Sequence, residues 1–387
     1  MNKESFKIAV SDVVLSDLRE RLARVRYPAD FANENWAYGT NRAYLEELVT
    51  YWRDRYDWRK HEAEINRFSH YRTSIDEIPI HFIHEPGRGP KPIPLILSHG
   101  WPWTFWDLAK VIRPLADPGS FGGEPADAFD VVVPSLPGFC FSTPLTTPGI
   151  NWWRTADLWV TLMRDVLGYT KFAAEGGDWG AFATEQLGHK YSQHLIGIYL
   201  TLAIPMDFFS GGGLKPTDYG PDEQAALART REASGGTISH VAVQTRDPQT
   251  LAYGMHDSPV ALLAWILERR RAWSDCGGTV ERRYSKDELL THIMLYWVTE
   301  CFVTSVRYYY EARKNPWKPS HDRLPVVKAP TAIGVFPREL ITPPRRWAER
   351  YFNLQHWTPM TSGGHFAPSE EPEQLVHDIR AFFRSRR

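Results

Sequence analysis

The run Ala174-Glu175-Gly176-Gly177-Asp178-Trp179-Gly180-Ala181 constrains this chain more than any other segment. Lys171-Phe172-Ala173-Ala174 before it reads as a short buried strand, and residues 181–191 after it read as a helix. Small residues two before and two after the central position let a strand turn sharply into a helix, which lifts the central side chain into a pocket. That side chain is Asp178, where an ester-cleaving site of this shape carries serine. A carboxylate needs no base to deprotonate it, and its attack on an sp³ carbon gives an alkyl ester. The chemistry selected is the opening of an epoxide or the displacement of a halide.

The segments around this turn alternate. Ile78, Ile80 and Phe82 interleave with Pro79 and His81 as a strand, and 93–97, 130–133 and 195–202 read as buried strands with helical segments between them. Such alternation implies an α/β class with a mostly parallel sheet covered by helices on both faces. Residues 1–70 read instead as a separate N-terminal helical extension. Leu15, Leu18, Leu22 and Val25 recur at helical spacing after Ser16 as N-cap, stopping at Tyr27-Pro28, and Tyr44, Leu45, Leu48, Val49 and Trp52 form a second stripe. The first part of the core then spans 71–205. Between 206 and 321 the strand signal gives way to helical patterns at 221–234, 258–273 and 285–314, the pattern of a helical cap insertion. Strands at 330–336 and 353–360 complete the core within 322–387.

At 387 residues the chain has room for such a core with additions, and its net charge of −1 offers nothing to nucleic acid or an anionic membrane. Cys140, Cys276 and Cys301 are too widely spaced for a disulfide framework or a zinc site and read as reduced thiols of a cytoplasmic protein. The first residues carry acid early and no apolar h-region, so no signal peptide is expected, and the apolar stretches at 195–205 and 260–267 are too short for a membrane span. A soluble protein is expected. There is no H-E-x-x-H, and the glycine loop 210–213 lacks the Lys-Ser/Thr of a phosphate cradle, so neither metal nor cofactor is expected.

Three further elements converge on Asp178. His99-Gly100-Trp101-Pro102 ends an apolar strand, and its turn can aim the Trp101 N–H at the pocket beside that of Trp179. Two such donors make an oxyanion hole for ester hydrolysis, worth about 3 kcal/mol each. His365, in Ser362-Gly363-Gly364-His365-Phe366 just after the last strand, is placed to deprotonate the attacking water. Glu339, in Phe336-Pro337-Arg338-Glu339 after the penultimate strand, is placed to take the imidazole N–H and fix its tautomer. The cluster Trp101, Trp103, Phe105 and Trp106 adjoins the turn and suggests an apolar, aromatic-walled pocket for substrate.

Together these motifs resemble the epoxide hydrolases of the α/β-hydrolase fold, in the branch with an N-terminal helical extension that includes microsomal and fungal enzymes. The resemblance covers the extension, H-G-W-P, G-G-D-W-G, the cap segment Asp257-Ser258-Pro259-Val260, F-P-x-E and G-G-H-F, without an N-terminal anchor. It implies two cap groups that hydrogen-bond the epoxide oxygen. Tyr309, in Arg307-Tyr308-Tyr309-Tyr310, matches the second; Tyr308 and Tyr310 point elsewhere on a helix. The first is a tyrosine in the family, but counting back from Asp257 and from Asp247-Pro248 the matching position is His240, with Gln244 as another donor in the same segment. Trp103 also departs, a bulky indole where relatives commonly have a small residue, and is expected to narrow the pocket.

A haloalkane dehalogenase would share the fold and the Asp-Trp turn but has no use for cap tyrosines. A non-catalytic member of the fold would not need Asp178, Glu339 and His365 together. The expected partners are therefore a small-molecule epoxide and water; no feature speaks for or against a homodimer.

Overall fold

Among the described residues nine strands form one sheet around the Asp178 turn. The computed structural model describes residues 2–233 and 238–387. In chain order the strands are β1 (Glu4–Phe6), β2 (His70–Ile75), β3 (Ile78–Glu85), β4 (Ile93–Ser98), β5 (Phe129–Pro134), β6 (Phe172–Gly176), β7 (Leu195–Leu200), β8 (Val327–Val335) and β9 (Phe352–Pro359). They lie side by side as β1-β2-β3-β5-β4-β6-β7-β8-β9. The first three pairings are antiparallel and the rest are parallel. The central strands β4, β5 and β6 are buried almost throughout, as a sheet covered on both faces requires.

The helices are α1 (Asp12–Ala23), α2 (Arg42–Asp54), α3 (Trp58–Ile65), α4 (Ala109–Ala116), α5 (Trp152–Thr161), α6 (Trp179–Lys190), α7 (Gln224–Glu232), α8 (Ser239–Gln244), α9 (Pro248–Asp257), α10 (Pro259–Trp273), α11 (Lys286–Val298), α12 (Phe302–Lys314), α13 (Arg345–Tyr351), α14 (Ala367–Glu370) and α15 (Pro372–Arg384). On one face of the sheet α6 packs against Gly176. On the other, the Tyr199 hydroxyl donates to Asp378 Oδ2 of α15 at 2.7 Å.

The N-terminal segment differs from its expected form. It is not separate, because β1 pairs with β2 in register Glu4↔Arg72 to Phe6↔His70 and extends the sheet. A three-residue edge strand carries too little periodicity to register in the sequence. Helix α1 is capped by Ser11, whose hydroxyl accepts the Val14 N–H, and the expected cap Ser16 lies inside the helix. Tyr44, Tyr51 and Tyr56 donate from this segment to Glu281 and Asp287 and pair with Thr291 of the cap, at 2.9, 2.9 and 3.0 Å.

The helical pattern at 285–314 breaks into α11 and α12, which meet at 82°. The break falls at Glu300, whose φ of 53° no α-helix accommodates. The bend turns α12 so that Tyr309 comes over the sheet. The predicted helix end at Ser234 lies outside the described residues. Among the described residues no single helix is long and apolar enough to cross a membrane.

Cap and core are joined by a buried ion pair. Arg270 of α10 grips Asp107 in two hydrogen bonds of 2.6 and 2.8 Å, with both side chains sealed from solvent. Burial favours the neutral acid, but Arg270 and His292 outweigh it and hold the Asp107 pKa below its usual value. Losing either partner would strand a buried charge, at a cost of about 3–5 kcal/mol.

The turn into α6 depends on glycine. A Cβ on Gly180 would overlap the Ser98 carbonyl oxygen at the end of β4. Gly180→Ala is therefore expected to destabilise the protein by about 1–3 kcal/mol in denaturant unfolding. Gly254→Ala, in α9 where an added Cβ meets nothing within 4 Å, should be neutral or stabilising by up to about 1 kcal/mol. Equal effects would contradict the close-packed turn.

Candidate active site

Asp178 stands between β6 and α6 with φ 49° and ψ −125°, a conformation costly for a residue with a side chain. The strain presents its carboxylate above the sheet. The Trp101 N–H, from the turn after β4, donates to Asp178 Oδ1 at 2.7 Å. Gly100 makes this approach feasible, since a Cβ there would overlap the Asp178 carboxylate. His99 holds the turn: its Nε2 accepts the Leu136 N–H at 3.0 Å and its Nδ1 lies 3.0 Å from the Gly100 carbonyl. Trp179 is the first residue of α6, so its N–H has no carbonyl within the helix and is free to face the same centre.

His365 completes the centre from the loop after β9. Its Nδ1 lies 2.7 Å from Glu339 Oε1, and its Nε2 lies 3.4 Å from Asp178 Oδ2. The Leu340 N–H also donates to Glu339 Oε1 at 2.6 Å, which orients the carboxylate. Full burial favours neutral imidazole, yet the charges and hydrogen bonds of Glu339 and Asp178 overcome it and raise the His365 pKa to about 10.

Opposite Asp178, α12 and α8 supply Tyr309 and His240. The Tyr309 ring stands edge-on to Trp101 and Trp179, at 5.8 and 4.6 Å. Burial, reinforced by the nearby Asp178 charge, raises its hydroxyl pKa well above the usual value and keeps it a protonated donor. His240 stacks on Trp101 at 5.0 Å and stands edge-on to Tyr309 at 5.4 Å. Burial first, then Arg269 and His365, hold its pKa well below 6.5, so it faces the site as neutral imidazole. Tyr308 is turned away, paired with Thr155 Oγ1 at 2.7 Å, and Tyr310 is exposed.

Asp178, His365, Tyr309 and His240 line a cavity of about 70 Å³ whose other walls are apolar, among them Trp179, Phe209, Trp273 and Ile341. Three expected pocket residues lie elsewhere. Trp103 is buried behind His365, with ring centroids 5.5 Å apart, and packs on Gly177, so it backs the histidine rather than narrowing the cavity. Trp106 is carried away by the turn that Thr104 caps; it packs edge-on to Phe68 at 5.8 Å and borders a separate cleft with His61, Lys110 and Glu288. Gln244 is buried one turn beyond His240 and does not line the cavity; its amide makes no hydrogen bond among the described residues. Trp273 and Phe209 were not singled out from sequence because they stand in cap segments that carry no motif. Among the described residues no cluster of His, Cys, Asp and Glu is arranged to hold a metal.

The raised pKa of His365 has a measurable consequence. Because the folded value of about 10 exceeds the unfolded 6.5, its proton stabilises the fold fully below pH 6.5, and that stability is lost as pH rises through about 10. Wild type should therefore lose unfolding free energy between pH 7 and 10 relative to His365→Gln. Parallel pH profiles would show that Glu339 and Asp178 do not retain this proton.

Comparison with known proteins gives the family of the chain. Residues 3–108 match the family model "Epoxide hydrolase N terminus", and residues 93–267 match "alpha/beta hydrolase fold". A Stigmatella aurantiaca protein is 42% identical over 99% of this chain and 85% of its own length. Epoxide hydrolase 1 of Oryctolagus cuniculus is 35% identical over 97% of this chain and 88% of its own. The Aspergillus niger epoxide hydrolase structure superposes with a TM-score of 0.85 at 26% identity, covering 100% of this chain and 97% of that one. The chain thus belongs to the epoxide hydrolases of the α/β-hydrolase fold.

Proposed function

We propose that this enzyme opens an apolar epoxide through a covalent ester on Asp178. The observation that carries this reading is the division of labour between the two Asp178 oxygens. Oδ1 accepts the Trp101 N–H, while Oδ2 lies beside His365 Nε2. Oδ2 attacks the less hindered or more activated epoxide carbon, and its C–O bond forms as the ring C–O bond breaks. Tyr309 donates to the departing oxygen from the opposite wall, and His240 is the second donor through an imidazole N–H. The alkoxide becomes a hydroxyl by taking the proton of the Tyr309 hydroxyl, and the proton that the His365 imidazolium then gives up restores that phenol.

Ester formation removes the negative charge of Asp178, one of the two that hold the proton on His365. The imidazolium then gives up its proton more readily and becomes the base for the second step. It deprotonates water, which adds to the ester carbonyl, and Oδ1 carries the resulting oxyanion between the N–H groups of Trp101 and Trp179. Collapse expels the diol oxygen, which takes the proton back from His365. Glu339 keeps the imidazole in the right tautomer throughout.

The apolar walls of the small cavity favour a compact aliphatic or aryl epoxide. Cap tyrosine chemistry favours epoxide over haloalkane, and the assay of one epoxide beside one bromoalkane separates them: halide release without diol would reverse the choice. We place the protein in the cytoplasm, a setting that suits its three unpaired, buried cysteines.

Asp178→Asn should abolish diol formation, and His365→Gln should accumulate an adduct equal in mass to enzyme plus epoxide, read by intact-protein mass spectrometry. Failure to trap any adduct with a good substrate would contradict the ester. His240→Ala should slow ring opening by about 10- to 100-fold or change the carbon attacked, and His240→Tyr should restore a donor. An unchanged rate and regiochemistry in His240→Ala would remove His240 from the mechanism.

A further inference from the structure

The loop that carries His365 is interleaved with the cap segment following α10. The His365 N–H donates to the Trp273 carbonyl at 2.9 Å, and the Gly363 N–H donates to Asp275 Oδ2 at 3.0 Å. The strands of chain pass at backbone contact: a Cβ on Gly364 would lie 2.6 Å from the Trp273 carbonyl oxygen and 2.8 Å from the Asp275 nitrogen. Glu370, the last residue of α14, closes this clasp. Its Oε1 accepts the Phe366 N–H at 3.0 Å, next in chain to the base, while its Oε2 accepts the Asp275 N–H at 2.7 Å from the cap.

We propose that Glu370 is a positioning residue for the hydrolytic half of the reaction. Its carboxylate fastens the amide after His365 to the cap, and so fixes where the imidazole stands relative to the ester carbonyl. Glu370 acts through the backbone and is not a catalytic residue. Several features fit this role. It is 7% exposed, so no solvent replaces a lost acceptor. Its neighbours on either side are anchored, Ser369 to Tyr284 at 3.2 Å and Glu371 to Arg283 at 2.8 Å, which leaves α14 little freedom to rotate. Burial raises the Glu370 pKa to about 7 against the lowering effect of its two amide donors, so glutamine is a fair shape mimic that keeps one acceptor oxygen. This role requires no contact with substrate.

The two half-reactions respond differently. Attack by Asp178 depends on the elbow and the cap donors, which Glu370 does not touch. Water activation depends on the direction of His365 Nε2, where a displacement of about 1 Å costs about 100-fold. This proposal rests on the covalent reading above, and the test separates the two. Rapid-quench mass spectrometry would follow ester formation and decay with styrene oxide in wild type, E370Q and E370A. Ester formation is expected within about twofold of wild type, with decay slowed at least about tenfold in E370A and less in E370Q, so that ester accumulates in the steady state. Normal decay in both variants, or an equal fall of both steps, would overturn the proposal, the second result marking Glu370 as purely structural. If E370A does not fold, E370Q alone decides by the same ratio. Absence of ester in both wild type and His365→Gln would instead overturn the covalent reading, and this one with it.

Discussion

The active site depends on one backbone crossing, where Gly180 at the start of α6 passes against the Ser98 carbonyl at the end of β4. No side chain fits between them. Because the two segments touch, the turn after β4 delivers the Trp101 N–H to within 2.7 Å of Asp178 Oδ1, and the carboxylate is held in a conformation it would not adopt alone. The rest of the sheet gives that crossing its rigidity, with β4, β5, β6 and β7 buried in parallel register.

Around the crossing, electrostatics are arranged in sequence. In the resting site His365 lies between two carboxylates and keeps its proton. In the proposed mechanism, alkylation of Asp178 would remove one of those charges, so that His365 gives up its proton and becomes a usable base. On that proposal the substrate's own reaction prepares the second step. The cap contributes more than a roof. It supplies Tyr309 from α12, which the break at Glu300 turns, and His240 from α8, and it grips the core through Arg270 and Asp107 and grips the histidine loop through Asp275.

Legibility in the sequence followed the range of each interaction. Asp178, Glu339 and His365 are each framed by local turn chemistry, and glycine or proline beside a strand end is visible without a fold. The antiparallel edge strand Glu4–Phe6 was not, because its partner His70–Ile75 lies over sixty residues away and only pairing defines it. The aromatic cluster shows the same limit. Trp101, Trp103 and Trp106 are close in sequence, yet the capped turn at Thr104 sends Trp106 to the outside, and Trp103 passes behind His365. Spacing along a chain does not report direction in an irregular turn. His240 was found by its distance from neighbouring landmarks, whereas its neutral state comes from burial and Arg269, which only tertiary structure brings to bear.

The central claim is that an enzyme oxygen, not a water oxygen, first joins the epoxide carbon. A single turnover in H₂¹⁸O, with enzyme in excess over substrate, measures this directly. Through the ester, the diol leaves with no heavy oxygen, and the label is found in the peptide containing Asp178. Heavy oxygen in the diol of that first turnover, with none in Asp178, would mean that water attacks the epoxide directly and would contradict the covalent mechanism.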